Sequence, residues 1–534
     1  MEIMTRRKKS FFLALGMVLV SVGIGTAANA EVKMVKVNGE YRPAYREGEV
    51  IVKYRDNALR SFDEMQSLYQ RLNVVDVKHF SGEFKNFEHL SFNTVHLTVE
   101  QAVAELQRDP SVEYVQPNYM IYAFPAKLDK PEPKGEPCAI PGVPYPPGCD
   151  DKGGTPPGGG NPPPGGGGKT PCVIPGVPYP PGCEDGPGNP GNPGNPGEPG
   201  KPGTERPAIA PAPADVVPAK ADPDLDKAWG ILKVQADKAW ATERGSKNIL
   251  VAVIDTGIDY NHPDLAFNVW RNPNAGRTLA TGVNNAGDSI SGDVVGWDFV
   301  HNDNLPFDDN QHGTHCAGAI GAVGGNGIGI SGVSQRVSIM GVKFLSGEGS
   351  GDSASAIRGI DYAVSRGAKI LSNSWGGKGE DGNNQALKEA IARAGKAGVL
   401  FIAAAGNDGT DNDSEPTFPA AYNLDNMVTV AATTESDGIA YFSNKGEKSV
   451  HVGAPGTNIY STTPNNSYKK LSGTSMACPH VAGAAALIWA HYPNANYKEI
   501  KQRLMQFGDD LSALKGVTVS GKRINVFQSV NGTL

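Results

Sequence analysis

The chain has 534 residues with 49 basic and 56 acidic side chains, which gives a formal charge of −7. This mild acidity leaves no basic surface to neutralise phosphates, so we expect no nucleic-acid partner. A charged fraction of only 20% excludes a disordered acidic chain, and the length predicts two to four structural units.

The first 30 residues predict a secretory signal peptide. Basic residues 6–9 precede an apolar run, Phe11–Gly25, and cleavage is expected after the small-residue motif that ends at Ala30. The run is shorter than the roughly 20 residues of a membrane span. We therefore expect a secreted protein without a membrane span after cleavage, with an uncleaved anchor as the alternative.

Residues 31–124 predict a small α+β domain. Glu49–Arg55 alternates like a strand, and Ser61 is placed to cap an amphipathic helix. Thr98 and Gln101 form a capping box that opens a second helix. Residues 90–97 and 111–116 predict further strands. The order βαββαβ indicates a two-layer, ferredoxin-like unit.

Residues 125–221 predict a Pro/Gly-rich linker, because most of the 41 prolines lie between Pro125 and Pro218. It contains two similar repeats, Cys138–Cys149 and Cys172–Cys183. We expect each repeat to close its own disulfide in an oxidising compartment, with a metal site as the alternative. The Gly-period segment 188–203 is too short for a collagen helix and favours a polyproline-II spacer.

Residues 222–534 predict an α/β domain whose parallel sheet is covered by helices on both faces. Continuous apolar runs typical of buried parallel strands occur at 249–254, 337–344, 370–372, 399–404 and 427–431. Helical patterns lie at 353–366, 384–397, 475–492 and 496–506.

Polar residues flanked by glycine follow several of these elements. Asp255 ends a buried strand, where catalytic groups collect in such sheets, although it could instead cap a turn. His312 and His315 lack the spacing and the glutamate of a zinc-binding helix, so we expect no metal there. Ser475 lies near a helix start beside free N–H groups, which suits either a nucleophile or a helix cap. Asn407 could form a turn or donate its amide to an oxyanion.

Asp, His and Ser occur here in the chain order of one of the convergent serine-hydrolase arrangements. With these motifs, residues 222–534 resemble the subtilisin-like serine proteases. Residues 31–124 resemble the inhibitory pro-domains of that family, above all in the segment Asp109–Asn118. The resemblance implies that Ser475 attacks, His312 transfers the proton, Asp255 orients His312, and Asn407 holds the oxyanion.

The resemblance also implies where substrate binds. Two segments would enclose an extended peptide, and three residues would form the walls of the primary pocket. We expect Thr417 on the pocket floor to favour Ala, Leu or Met over Phe or Tyr. The first set is Gly349, Ser350, Gly351, Ser374, Trp375 and Gly376, and the second is Ala404, Ala405 and Gly406.

The family pattern further implies structural calcium (Ca2+), with ordinary turn chemistry as the alternative. A second site is predicted at Asp298 and Asp303, although His301 replaces an expected carboxylate. Cys316 and Cys478 are expected to be small buried side chains rather than a disulfide or a catalytic thiol. The first calcium site is predicted at Asp222, Asp264, Gly324, Asn326, Ile328 and Ile330.

These inferences predict a secreted, monomeric, calcium-stabilised endopeptidase that acts on protein or peptide substrates. Its own pro-domain would be an intramolecular inhibitor, separated by cleavage near Tyr122–Ala126 or near Lys220–Asp222. A surface-display or binding protein whose protease domain only processes itself is the main alternative, and an inactive structural homologue is the second.

Overall fold

The computed structural model contains an upstream domain within residues 33–124, a downstream domain within residues 220–534, and a segment between them. The predicted signal peptide, the cysteine repeats of the linker and Ser61 lie outside the described residues. The structure describes residues 33–37, 40–56, 62–80, 86–95, 97–124, 206–214, 220–275, 290–378 and 384–534.

The upstream domain has the predicted ferredoxin-like order of elements. Its four strands lie in the order Val112–Ala123, Tyr45–Tyr54, Phe87–Phe92 and Val74–His79. Both sides of the predicted Thr98–Gln101 capping box are formed. The strand expected at 90–97 instead spans Phe87–Phe92, because the Asn93 side chain accepts a hydrogen bond from Val95 N and starts a turn. The elements are β1 (Met34–Val37), β2 (Glu40–Pro43), β3 (Tyr45–Tyr54), α1 (Phe62–Arg71), β4 (Val74–His79), β5 (Phe87–Phe92), α2 (Val99–Leu106) and β6 (Val112–Ala123).

The downstream domain is built on a nine-stranded, mostly parallel sheet of order β18-β19-β15-β14-β13-β11-β7-β9-β8. Its strands are β7 (Gly245–Asp255), β8 (Gly296–Asp298), β9 (Arg336–Lys343), β10 (Ser350–Asp352), β11 (Ile370–Asn373), β12 (Trp375–Gly376), β13 (Leu400–Ala404), β14 (Met427–Thr433), β15 (Val452–Pro455), β16 (Ile459–Thr463), β17 (Ser467–Leu471), β18 (Asp509–Asp510) and β19 (Lys522–Arg523). Its helices are α3 (Trp229–Lys233), α4 (Ala236–Ala239), α5 (His312–Gly321), α6 (Ser353–Ser365), α7 (Gln385–Lys396), α8 (Thr474–His491), α9 (Tyr497–Gln506) and α10 (Val526–Asn531).

The central strand β7 is buried on both faces, which explains its continuous apolar run. Val251 and Val253 pack into the core that contains α8, whereas Ala252 and Ile254 pack into the core under α6 and α7. Helices therefore cover both faces of the sheet, as predicted for a parallel arrangement. Among the described residues, no helix is long and apolar enough to cross a membrane.

Pro479 lies inside α8, five residues after its first residue, Thr474. A proline has no N–H, so Pro479 cannot bond the carbonyl of Ser475 four residues earlier. That carbonyl instead accepts a hydrogen bond from Ser374 Oγ at 3.0 Å. The proline thus frees the Ser475 carbonyl to tie helix α8 to the segment between β11 and β12.

Candidate active site

Asp255 and His312 form a buried hydrogen-bonded pair at the carboxyl end of β7. Asp255 Oδ1 lies 2.8 Å from His312 Nδ1 and also accepts from Thr256 N at 2.7 Å. Burial lowers the pKa of His312, but the charge and hydrogen bond of Asp255 outweigh it, so the pKa lies above its ordinary value. The pair therefore holds the imidazole in one orientation and favours its protonated form.

Ser475 is fully buried in the first turn of α8. Its hydroxyl donates to Ser374 O at 3.1 Å and lies 3.3 Å from Phe124 O, the last described residue of the upstream domain. His312 Nε2 is buried, and the Phe124 backbone together with the charge of Asp308 adds to the rise in the pKa of His312. The Ser475 hydroxyl thus bonds Ser374 O and lies beside a peptide carbonyl of the chain itself.

Asn407 follows β13 and is held by the residue before Ser475. Its Oδ1 accepts from Thr474 N at 2.9 Å and from Thr474 Oγ1 at 2.8 Å. Thr474 Oγ1 also accepts from Gly406 N at 3.1 Å. The Asn407 amide oxygen is therefore bonded to Thr474 at the start of α8. The amide nitrogen lies at the other end of the planar amide group. This role of Thr474 was not predicted from the sequence, although Thr474 is the residue directly before the predicted nucleophile Ser475.

Strand β6 of the upstream domain lies between β10 and β12 and pairs with both in antiparallel register. Ala123 N donates to Gly349 O at 2.8 Å, and Phe124 N donates to Ser374 O at 3.4 Å. The segment 121–124 is thereby held as an added strand, the mode by which extended peptides bind to sheet edges. The structure brings together around it all six residues predicted to bind substrate backbone: Gly349, Ser350, Gly351, Ser374, Trp375 and Gly376.

The ring of Phe124 is seated in the cleft and is only 3% exposed. It lies against Gly376, where an added Cβ would come within 2.6 Å of Phe124 Cζ. Thr417 is buried near Gly406, and its Oγ1 accepts from Asn444 Nδ2 at 3.2 Å. Because the cleft admits a phenylalanine ring, the structure does not support the expectation that Thr417 shortens the pocket against Phe. Ala404 is the last residue of β13, and Ala405 links it to Gly406. Both alanines are fully buried.

Two polar side chains of β6 cap helices of the downstream domain. Asn118 Oδ1 accepts from Ala354 N, and Gln116 Oε1 accepts from Ala386 N, each at 3.0 Å. These N–H groups belong to the first turns of α6 and α7, where backbone donors lack intrahelical partners. The sequence analysis missed this contact. No local pattern in the sequence specifies it, because the capped helices lie more than 200 positions later in the chain.

The residues predicted for the first calcium site converge. Asn326 Nδ2 donates to Asp264 Oδ1 at 2.8 Å, and Asp222 accepts from Gly325 N and Asn326 N at 2.9 and 3.1 Å. The Asp264 side chain is fully buried, and Asp222 is nearly so. Two buried carboxylates with an amide and a tight loop form a hard-oxygen donor set that fits Ca²⁺.

The ligand roles predicted for Ile328 and Ile330 stay predictions, because the contacts of these residues in the cluster are made by their N–H groups. Ile328 N donates to Asn326 Oδ1 and Ile330 N donates to Asp264 Oδ2. Gly324 packs against the Gln335 side chain. The ligand role of the Gly324 carbonyl therefore stays a prediction.

The second predicted calcium site is wrong, because a guanidinium group occupies its place. Arg206 Nη1 donates to Asp298 Oδ2 at 2.9 Å and to Asp303 Oδ1 at 3.0 Å, and Nη2 also binds Asp303. His301 Nδ1 lies 2.8 Å from Asp298 Oδ2. The carboxylates are thus already bound by cationic or N–H groups. Arg206 was not predicted to bind here, because it lies in the segment predicted to be a linker.

Cys316 and Cys478 are buried as separate free thiols. Asp255, His312 and Cys316 lie close enough to share a metal ion. Burial, however, raises the pKa of the Cys316 thiol well above its usual value, and His312 Nδ1 is already bound to Asp255. This favours the expectation of small buried side chains over a metal site.

Comparison with protein families gives two matches on this chain. Residues 246–518 match the model of the Subtilase family, and residues 31–118 match that of the Fervidolysin N-terminal prodomain. The two matches correspond to the downstream and upstream domains.

Individual relatives match about half of the chain. Thermitase of Thermoactinomyces vulgaris is 41% identical over 252 residues, which cover 47% of this chain and 78% of the relative. Major intracellular serine protease of Bacillus subtilis is 41% identical over 254 residues, which cover 47% and 71%. Thermophilic serine proteinase of Bacillus sp. (strain AK1) is 37% identical over 302 residues, which cover 57% and 66%.

Proposed function

We propose, from the premise that this chain belongs to the subtilase family of serine proteases, that it is a secreted endopeptidase with the triad Asp255, His312 and Ser475. The observation that carries the proposal is the seating of the chain's own segment 121–124. Its last carbonyl oxygen lies 3.3 Å from Ser475 Oγ, as a substrate carbonyl would. A protein or peptide strand fits the same two edges, β10 and β12.

The proposed mechanism assigns one task to each group. His312 Nε2 takes the Ser475 proton as Oγ attacks the carbonyl carbon, and Asp255 stabilises the resulting imidazolium. Asn407 and the Ser475 N–H donate to the oxygen that becomes negative. His312 then gives the proton to the leaving amine, which departs and leaves an acyl-enzyme. Water, deprotonated by the same imidazole, hydrolyses that ester.

The upstream domain would keep the enzyme inactive until it is removed. Its β6 strand fills the cleft, and further contacts outside the cleft support the inhibitory position. Arg46 Nε donates to Asp352 Oδ2 at 2.7 Å, and Lys53 Nζ donates to Glu389 Oε2 at 3.1 Å. A domain that binds both the cleft and the helices beside it competes with any substrate for β10 and β12.

The residue after Phe124 is Pro125, which bears on self-processing at this position. A proline carries ring carbon on its nitrogen in place of the small N–H. That ring crowds the leaving side of the bond, where His312 must deliver its proton. We therefore expect the Phe124–Pro125 bond to be cut slowly, which favours a tail that inhibits over one that is consumed.

Calcium would have a structural part at Asp222, Asp264 and Asn326. Bound there, the ion would neutralise two buried carboxylates and join the segment around Asp222 to the loop at residues 325–330. Those residues are far along the chain from one another, so the link would stabilise the folded domain. Secretion rests on the predicted signal peptide at residues 1–30.

The proposal is tested by comparing the expressed wild-type chain with Ser475→Ala for casein hydrolysis and intact mass. We expect wild type to hydrolyse casein and shorten, and Ser475→Ala to do neither. A wild type that shortens but leaves casein intact would favour the self-processing display protein. Equal hydrolysis by both proteins would contradict the role of Ser475.

A further inference from the structure

The C-terminal end of the predicted linker is bound to the downstream domain. Residues 206–210, here called the strap, follow the Pro/Gly-rich region and precede the first described residue of the downstream domain, Lys220. They make no contribution to the cleft or to the triad. Their contacts therefore need an explanation apart from catalysis.

Arg206 makes the main contact. Its guanidinium is 22% exposed, whereas Asp298 is fully buried and Asp303 is 34% exposed. Besides binding both carboxylates, Arg206 Nη1 donates to Leu305 O at 3.1 Å. A planar guanidinium can satisfy several acceptors at once, which a lysine ammonium does less well.

Two side chains of the downstream domain, Tyr260 and Asn261, form hydrogen bonds with the backbone of the strap. Tyr260 OH donates to Pro207 O at 2.6 Å. Asn261 binds in both directions, because its Nδ2 donates to Ala208 O at 2.8 Å and its Oδ1 accepts from Ala210 N at 2.9 Å. Ile209 packs against the core of the downstream domain. These contacts fix the register of the strap, so that Arg206 reaches the carboxylates.

Both carboxylates at this place accept several hydrogen bonds. Asp298 Oδ1 accepts from Val300 N and His301 N, and its Oδ2 faces Arg206 and His301 Nδ1. Asp303 Oδ1 accepts from Leu305 N and Arg206. What separates this cluster from the first calcium site is the guanidinium of Arg206, which a divalent cation would have to displace from both carboxylates.

We propose that the strap remains bound to the downstream domain in the mature enzyme, with Arg206 as the resident cation of Asp298 and Asp303. The inference goes beyond the proposed function because it concerns stability and the extent of the mature chain. It requires the maturing cut to fall before residue 206. A cut at Lys220–Asp222 would release the strap and take the guanidinium away from the buried Asp298, whose Oδ2 would keep only its contact with His301.

The first test measures the melting temperature of the full chain in the Ser475→Ala background, where self-cleavage cannot remove the strap. We expect Arg206→Gln to lower the melting temperature of the downstream domain by roughly 5 °C, and Arg206→Lys to lower it less. Lys498→Gln, which breaks an exposed ion pair with Asp425, is the matched control and should shift it by under about 1 °C.

A double-mutant cycle distinguishes a specific ion pair from general damage. Asp303→Asn should destabilise the Arg206 protein but be neutral or stabilising in Arg206→Gln, because the second change then removes an unpaired charge. If the two substitutions lower the stability additively, or if the Arg206→Gln protein is as stable as its parent, the proposal is overturned. These readouts do not depend on catalysis, so they are separate from the test of the proposed function.

A second measurement applies even if Arg206→Gln fails to fold. The N-terminus of the active wild-type enzyme, read by intact mass and terminal sequencing, should lie before residue 206. An active enzyme that begins after Arg206, for example at Lys220–Asp222, would refute the retained strap.

Discussion

Replacing Phe124 with Ala should weaken the upstream domain as an inhibitor. The Phe124 side chain is 3% exposed in the cleft, so the change removes almost a full aromatic side chain from a buried site. Burial of such a side chain is worth about 1.5–3 kcal/mol, and the void that remains adds to the loss. A loss of about 2–3 kcal/mol corresponds to an inhibition constant roughly 30- to 150-fold higher.

The assay adds residues 31–124 to processed enzyme and measures the inhibition constant on a peptide substrate. Tyr41→Ala is the matched control, since Tyr41 is 71% exposed on the β1–β2 hairpin and should leave the constant unchanged. Circular dichroism checks that both fragments fold. If folded Phe124→Ala inhibits as tightly as the unaltered fragment, the seating of Phe124 in the cleft is not what holds the inhibitor.

Four further outcomes follow from the site. Asp255→Asn should lower kcat by about 10⁴-fold. It should also move the acid limb of the pH profile to lower pH, because Asp255 raises the pKa of His312 and activity requires the neutral imidazole. Asn407→Ala should lower kcat by roughly 10²–10³-fold, a figure measured on another member of this family, with little change in KM. Chelation of calcium should lower the melting temperature of the Ser475→Ala chain but not that of the same chain with Asp264→Asn. With Asp303→Asn instead, chelation should still lower the melting temperature. Peptides with Phe before the cut bond should be hydrolysed at least as fast as those with Ala; a clear preference for Ala would restore the idea of a pocket shortened by Thr417.

The sequence predicted the elements whose signals are local. The apolar run before Asp255 and the capping box at Thr98 each determine their structure within a few residues, and both elements form as expected. The order of Asp255, His312 and Ser475 along the chain was equally visible.

The contacts that the sequence did not reveal join residues far apart in the chain. Arg206 binds Asp298 and Asp303 some 90 positions later, and the low complexity before Arg206 suggested a plain spacer. Asn118 caps α6 from another domain, a role that no local pattern specifies. The prediction that Thr417 shortens the primary pocket used the identity of this residue alone and not the residues around it. Asn444 holds the Thr417 hydroxyl, and Gly376 leaves room for a ring.

The most direct test of the central claim is labelling with a fluorophosphonate, which reacts with a serine activated by a neighbouring base. The processed wild type should gain one label, on the peptide that contains Ser475. The label should be absent in Ser475→Ala and form far more slowly in His312→Ala. A label on the neighbouring Ser374, or equal labelling of the wild type and His312→Ala, would contradict the assignment of Ser475 and His312.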